Sequence, residues 1–186
     1  VEHNAAAVES LIASEKQHTW GFQVDEDGEI TLATRPWITI GGLFLEPIQG
    51  EGGIHLLNKT LVAELRHFAD QYGFPLIIDE IQCGMGRSGT FCAAEQLDLR
   101  GDYYTFSKSL GGGLSKVSAL MVDAALYLPD FGYYHGSTFA EDKPACALAL
   151  KTLEIIDRDD VSNRCRLVGE RFMAKLRILK QRYPDV

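Results

Sequence analysis

Two short apolar runs, each closing on a reactive side chain, constrain this chain more than anything else in it. The first, PLIIDEI, carries Asp79; the second, DYYTFSK, ends in Lys108, and Asp79 lies 29 positions ahead of Lys108. A strand, a crossover and a second parallel strand occupy roughly 30 residues or more. The spacing therefore predicts two neighbouring strands. In open α/β sheets ligands bind at the carboxyl ends of the strands, so the arrangement would deliver a carboxyl group and an amine to one edge. Taken singly, an Asp after an apolar strand is commonly a cap or turn residue, and a Lys is commonly solvated. Paired at this spacing, with glycines around both, they have chemical uses.

The flanking patterns extend this nucleus. Asn4 reads as the cap of a helix from Ala5 to Lys16, with Val8, Leu11 and Ile12 on one face. Alternation from Trp20 to Leu32 around Asp25-Glu26-Asp27-Gly28 signals a hairpin, read as surface decoration. Trp37 to Leu45 is apolar enough for a strand buried on both faces, leading into the glycine-rich loop Glu46 to Gly53. A helix from Leu61 to Tyr72 stops at Gly73, and the strand Pro75 to Ile81 follows. Gly84, Gly86 and Gly89 then make a tight loop around Arg87, before a short helix near Ala93 to Leu97 and a strand from Tyr103 to Phe106. Only nine residues separate Lys108 from Ser118. A parallel return needs about a dozen or more, so the strand Ser118 to Val122 should run antiparallel. A polar loop, Ser137 to Phe139, precedes helices from Pro144 to Ile156 and from Val161 to Tyr183. The expected fold is α/β, a three-layer arrangement around a mixed, mostly parallel sheet with one antiparallel strand.

A net charge of −8 with no basic cluster argues against a nucleic-acid surface, and no apolar run approaches a membrane span. The four cysteines form no CxxC pair, so reduced thiols in a cytoplasmic protein are the simplest reading. The five histidines are scattered, without metal-ligand spacing. The chain begins at Val1 rather than Met and stops at Tyr183-Pro184-Asp185-Val186, just after a long helix. A part of a larger protein is expected.

An ordinary lysine amine, with a pKa near about 10.4, costs roughly 4.6 kcal/mol to deprotonate at pH 7. Partial desolvation among glycines at a strand end lowers that cost and allows a Schiff base with a carbonyl. A neighbouring Asp suits a cationic ring nitrogen. Pyridoxal phosphate uses such a pair, and hydroxyls near a helix start, such as Thr138, could hold its phosphate. A rival reading uses the same letters. Leu76-Ile77-Ile78-Asp79-Glu80 has the form of a Walker B strand, and Gly53 to Thr60 (GIHLLNKT) misses the ATPase phosphate loop by one residue, Asn58 for Gly.

Four segments carry a resemblance: Phe44 to Gly53 (FLEPIQGEGG), Ile78 to Gly89 (IDEIQCGMGRSG), Phe106 to Gly113 (FSKSLGGG) and Gly136 to Ala147 (GSTFAEDKPACA). In order and spacing they resemble landmarks of the class III aminotransferases, pyridoxal-phosphate enzymes of fold type I. The resemblance implies that Lys108 is the Schiff-base lysine and proton shuttle, and that Asp79 pairs with the pyridine nitrogen. It implies that Gln82 bonds the ring's phenolic oxygen, that Ile81 packs on the ring face, and that Thr138 reaches the phosphate of a cofactor bound mainly by the partner subunit of a homodimer. Glu51 matches the position that, in many members, pairs with an arginine and gates the site between donor and acceptor; that arginine would lie beyond Val186. The family's N-terminal phosphate loop and ring-stacking aromatic have no counterpart in this sequence, and the hairpin near 20–32 looks like an insertion.

The implied activity is transfer of an amino group from an amine or amino acid to an aldehyde or ketone. Residues 1–157 would be the central part of the cofactor-binding large domain, and 158–186 a helix leading to a C-terminal small domain. The alternatives are another reaction of the same cofactor (decarboxylation, racemisation or an amino shift), a non-catalytic fragment, and the ATPase.

Overall fold

The computed structural model describes residues 5–138 and 140–184. Its centre is a four-stranded sheet of order β3-β6-β7-β8, built from Leu43–Leu45, Leu76–Asp79, Tyr103–Phe106 and Ala119–Val122. β3 and β7 both run parallel to β6, in register Leu45↔Ile78 and Asp79↔Thr105, and β8 is antiparallel to β7. The mixed sheet is the expected one. Asp79 therefore closes one strand and Lys108 follows the end of its immediate neighbour.

Helix α2 (Lys59–Tyr72) shows why this end of the chain folds. Asn58 Oδ1 accepts a hydrogen bond from Leu61 N at 2.8 Å, which caps the helix start. Leu61, Val62, Leu65, Phe68 and Ala69 recur at helical spacing and are buried against Leu76 and Ile78 of β6. Each of the larger side chains contributes roughly 1.5–3 kcal/mol by leaving water. Gly73, at φ +73°, ends the helix in the left-handed conformation that glycine adopts at no steric cost. Helix α1 (Ala5–Ser14) joins the same core through Ile12, with Val8 packed beside it.

Several expectations are corrected. The expected cap at Asn4 lies outside the described residues. Leu11 is exposed rather than inward, and Lys16 already belongs to a strand. The hairpin is much longer than Trp20 to Leu32: β1 (Lys16–Val24) and β2 (Ile30–Ile38) pair over their whole length. It takes Trp37 and Ile38 away from the strand expected over Trp37 to Leu45. That strand shrinks to Leu43–Leu45, preceded by Gly41-Gly42, residues of poor strand propensity. It is not buried on both faces, since Phe44 is 71% exposed.

The phosphate-loop reading also fails. His55–Leu56 is a short strand, β5, paired with β4 (Ile48–Gln49); Asn58 is a helix cap; and Lys59 Nζ is paired with Asp98 Oδ2 at 2.5 Å. Sequence reading passed over β4, β5 and a short helix, α3 (Pro129–Tyr134). The element near Ala93–Leu97 is a 3₁₀ turn.

Helix α4 (Lys143–Arg158) is capped by Asp142, whose Oδ2 accepts from Ala145 N at 2.9 Å, and packs on the turn after Lys108. Helix α5 (Val161–Arg182) lies against the turn between β6 and the 3₁₀ segment. A Cβ at Gly86 would sit 2.7 Å from Ser162 Oγ, and one at Gly89 would sit 3.0 Å from Arg166 Cβ. No helix of the described residues is long and apolar enough to cross a membrane.

Asp102 ties helix to sheet. Its Oδ2 accepts from Leu76 N and from an Arg66 guanidinium nitrogen, both at 2.7 Å. Replacing Asp102 by Ala strands a buried strand N–H and leaves Arg66 with Asp70 alone, its other partner at 2.6 Å. The expected loss is roughly 1–3 kcal/mol of stability, read as a lower urea midpoint with an unchanged slope.

Candidate active site

Lys108 sits where β7 gives way to a 3₁₀ turn, and its backbone is in the left-handed region, at φ +42°. Such a conformation costs a non-glycine residue of order 1–3 kcal/mol and persists only where its surroundings impose it. Here Leu110 N donates to Ser107 O at 2.9 Å, and the Ser107 and Ser118 hydroxyls meet at 2.8 Å, tying the end of β7 to the start of β8. The outcome is an exposed amine: Lys108 Nζ donates to Gln82 Oε1 at 2.9 Å.

Gln82 is held from behind. The backbone of Gly50, in the turn between β4 and β5, lies so close that a Cβ there would fall 2.5 Å from Gln82 Cδ and 2.7 Å from its Nε2. That turn is steadied by Gly50 N donating to Glu46 Oε2 at 3.2 Å. Asp79, half-buried at the end of β6, accepts from Ile81 N through Oδ1 at 2.9 Å. Its second oxygen has no partner among the described residues. Thr105, paired with Asp79 across the strands, has a buried hydroxyl that is likewise without a partner among them.

One residue beyond Asp79 lies Glu80, which entered the sequence analysis only as the last letter of the Walker B form. Glu80 is the only fully buried charged side chain among the described residues. Its Oε1 accepts from Ala94 N at 2.8 Å, and its Oε2 accepts from Ala93 N at 3.0 Å and from Cys83 Sγ at 3.2 Å. The turn bearing Ile81 and Gln82 is thereby pinned to the start of the 3₁₀ segment. An Asp-Glu pair after an apolar strand contains both carboxyl groups, but nothing in the letters says which one faces the sheet edge.

Burial, and then the charge of Glu80, push the Cys83 thiol up to about 12; burial, with Glu80 and Glu95, does the same for Cys92.

The structure brings Lys108, Gln82, Ile81 and Asp79 to one edge. Thr138 lies exposed in the loop before α4, next to Ser137, which lines a cleft of about 640 Å³ together with Lys108, Ser115, Lys116, Asp142 and Cys146. Glu51 is exposed in the β4–β5 turn, one residue from Gly50.

The profile of the class-III aminotransferase family matches residues 31–186. This chain belongs to the class-III aminotransferases. The 5-aminovalerate aminotransferase DavT of Pseudomonas putida is 40% identical over 148 residues, 79% of this chain and 34% of DavT. The chain thus spans about a third of the length of the curated relatives it matches.

Among solved structures, the acetylornithine aminotransferase of Elizabethkingia anophelis superposes with a TM-score of 0.75 at 26% identity, over 97% of this chain and 40% of that one. The ornithine aminotransferase of Toxoplasma gondii gives 0.71 at 26%, over 92% of this chain and 35% of that one. An amine transaminase from an uncultivated Pseudomonas species, solved in its PLP-bound form, gives 0.72 at 29%, over 80% and 35%. Class-III aminotransferases are pyridoxal-phosphate enzymes.

Two outcomes follow from this geometry. Iodoacetamide at pH 8 should label exposed Cys146 first. Cys83 and Cys92, with thiolate fractions of order 10⁻⁴, should react at least about a hundredfold more slowly until the chain unfolds, as read by peptide mass. In the full-length protein, Gly50→Ala should displace only the flexible end of Gln82. Turnover should fall about tenfold while the melting temperature shifts by no more than about 2 °C.

Proposed function

We propose that the complete protein moves an amino group from an amine or amino acid to an aldehyde or ketone, using pyridoxal phosphate held by Lys108. The observation that carries this reading is the strained, exposed Lys108 amine bonded to Gln82 at the shared end of two parallel strands, the neighbouring strand closing on Asp79. The residues fit the cofactor. Asp79 keeps one oxygen without a partner among the described residues, Thr105 has a buried unpaired hydroxyl beside it, and the space over Gln82 exists only because Gly50 lacks a side chain.

When bound, pyridoxal phosphate supplies a carbonyl for the amine and a ring that accepts the electron pair left when a proton departs. The chain's own residues do the rest. Lys108 holds the cofactor and afterwards takes the substrate's α-proton on Nζ and returns it. Gln82 Oε1 orients that amine, and its Nε2 remains to donate to a ring oxygen. Asp79, fixed by Ile81 N, accepts from a cationic ring N–H and so favours its protonated form. Ile81 offers an apolar side chain to the ring face.

Thr138 serves the phosphate of a second copy's cofactor, which makes a homodimer part of the site. Glu51, at the mouth, answers an arginine and gates donor against acceptor. Residues 1–157 form the central part of the cofactor-binding domain, and 158–186 is the connecting helix towards a small domain. The names of the relatives favour amino transfer over the cofactor's other reactions, and small amines and carbonyls are the substrates.

In the full-length protein, an absorption band at the edge of the visible should disappear on borohydride treatment. Lys108→Ala should abolish that band and lower turnover at least roughly a thousandfold. Asp79→Ala should weaken both cofactor retention and rate. Near-wild-type turnover in Lys108→Ala would overturn the assignment.

A further inference from the structure

Thr105 carries a hydroxyl that the fold itself leaves unused. The residue stands beside Asp79 in the parallel register of β6 and β7, and the strands stay locked to their ends, with Glu80 N donating to Thr105 O at 3.0 Å. Register partners project to the same face of a sheet. That face is the one opposite helix α2, since Leu76 and Ile78 take the other. Thr105 Oγ1 is buried, yet it has no hydrogen-bond partner among the described residues. Valine has the same shape and the same preference for a strand, without a hydroxyl to strip of water. A buried polar atom left unpaired is rare enough in folded chains to require a reason.

The surroundings leave one acceptor. Thr105 has Leu120 as its partner on β8 and Ile77 one pleat back on β6, and neither side chain can accept. Ser107, two residues on, already donates to Val117 O at 3.2 Å and meets the Ser118 hydroxyl. Asp79 differs. Its Oδ1 takes Ile81 N at 2.9 Å, and its second oxygen has no partner among the described residues. Neighbouring strands lie about 4.8 Å apart, so rotation about the Cα–Cβ bond of either residue brings hydroxyl to carboxyl.

We propose that Thr105 is a positioning residue of the cofactor site, its hydroxyl donating to the second oxygen of Asp79 when the ring is in place. The inference rests on the reading that Asp79 faces the ring nitrogen. A carboxylate that accepts from both Ile81 N and Thr105 is favoured in its charged form and fixed in direction. An ionised carboxyl group has about four lone-pair sites, so one remains for the ring N–H. Because the hydroxyl makes no bond within the fold, its effect is confined to the loaded protein. That asymmetry separates positioning from a merely structural role.

The test compares full-length wild type, Thr105→Val and Thr105→Ser, each as apoprotein titrated with pyridoxal phosphate and melted before loading. Thr105→Val should weaken binding about tenfold, the size of one hydrogen bond to a charged group. Its apoprotein should melt at the wild-type temperature or above, since an unpaired hydroxyl has left the interior. Thr105→Ser keeps the hydroxyl and should bind within about threefold of wild type. In an Asp79→Ala background, Thr105→Val should weaken binding no further, because the two residues act as one unit. Equal affinities for wild type and Thr105→Val would overturn the proposal. So would additive losses in the double variant, or a Thr105→Val apoprotein that melts lower or misfolds, because the hydroxyl would then serve the fold. A wild-type apoprotein that takes up no pyridoxal phosphate would instead bring down the cofactor reading, and this inference with it.

Discussion

The buried carboxyl group of Glu80 is the fixed point of this molecule. Two backbone N–H groups and a thiol converge on it, and a carboxyl group so enclosed is tolerated only because its hydrogen-bonding capacity is met. It joins the end of β6 to the 3₁₀ turn thirteen residues later. The intervening loop cannot swing away, and the loop carries Ile81 and Gln82. The position of the carboxamide that accepts from Lys108 is thus inherited from a buried side chain.

Around that point two further constraints converge. Parallel pairing of β6 and β7 puts Asp79 and Lys108 at a common edge, as hydrogen bonding along the strands requires. The antiparallel return of β8 then closes the other side of Lys108 through the Ser107–Ser118 contact, which helps to hold its backbone in a left-handed conformation. The strain at Lys108 and the satisfaction of Glu80 are complementary. A well-bonded interior supports the unfavourable backbone of Lys108 at the edge.

What could be read in the letters follows from which signals are local. β6 and β7 were legible because an apolar run ending in a polar group, repeated at crossover spacing, leaves few other topologies. The antiparallel β8 was legible because nine residues are too few for a parallel return. Helix α2 was legible from its periodicity and Gly73. The division of Trp37–Leu45 between hairpin and sheet was not, since both neighbours want the same apolar residues and only tertiary pairing decides between them. At the site, Lys108, Asp79 and Gln82 were recognisable by type and order. Gly50 and Glu80 were not, because a close approach and a buried acid depend on the partners that three-dimensional packing brings. Thr138 and Glu51 lie in exposed loops, where sequence gives position along the chain and little about direction.

Helix α5 has a mechanical consequence. It rests on the backbone of Gly86 and Gly89, with no room for even a methyl group at Gly86, and that backbone is continuous with the turn pinned by Glu80. A side chain at either position would have to displace Ser162 or Arg166, so the seat of α5 depends on two bare backbone positions in the same loop that Glu80 anchors.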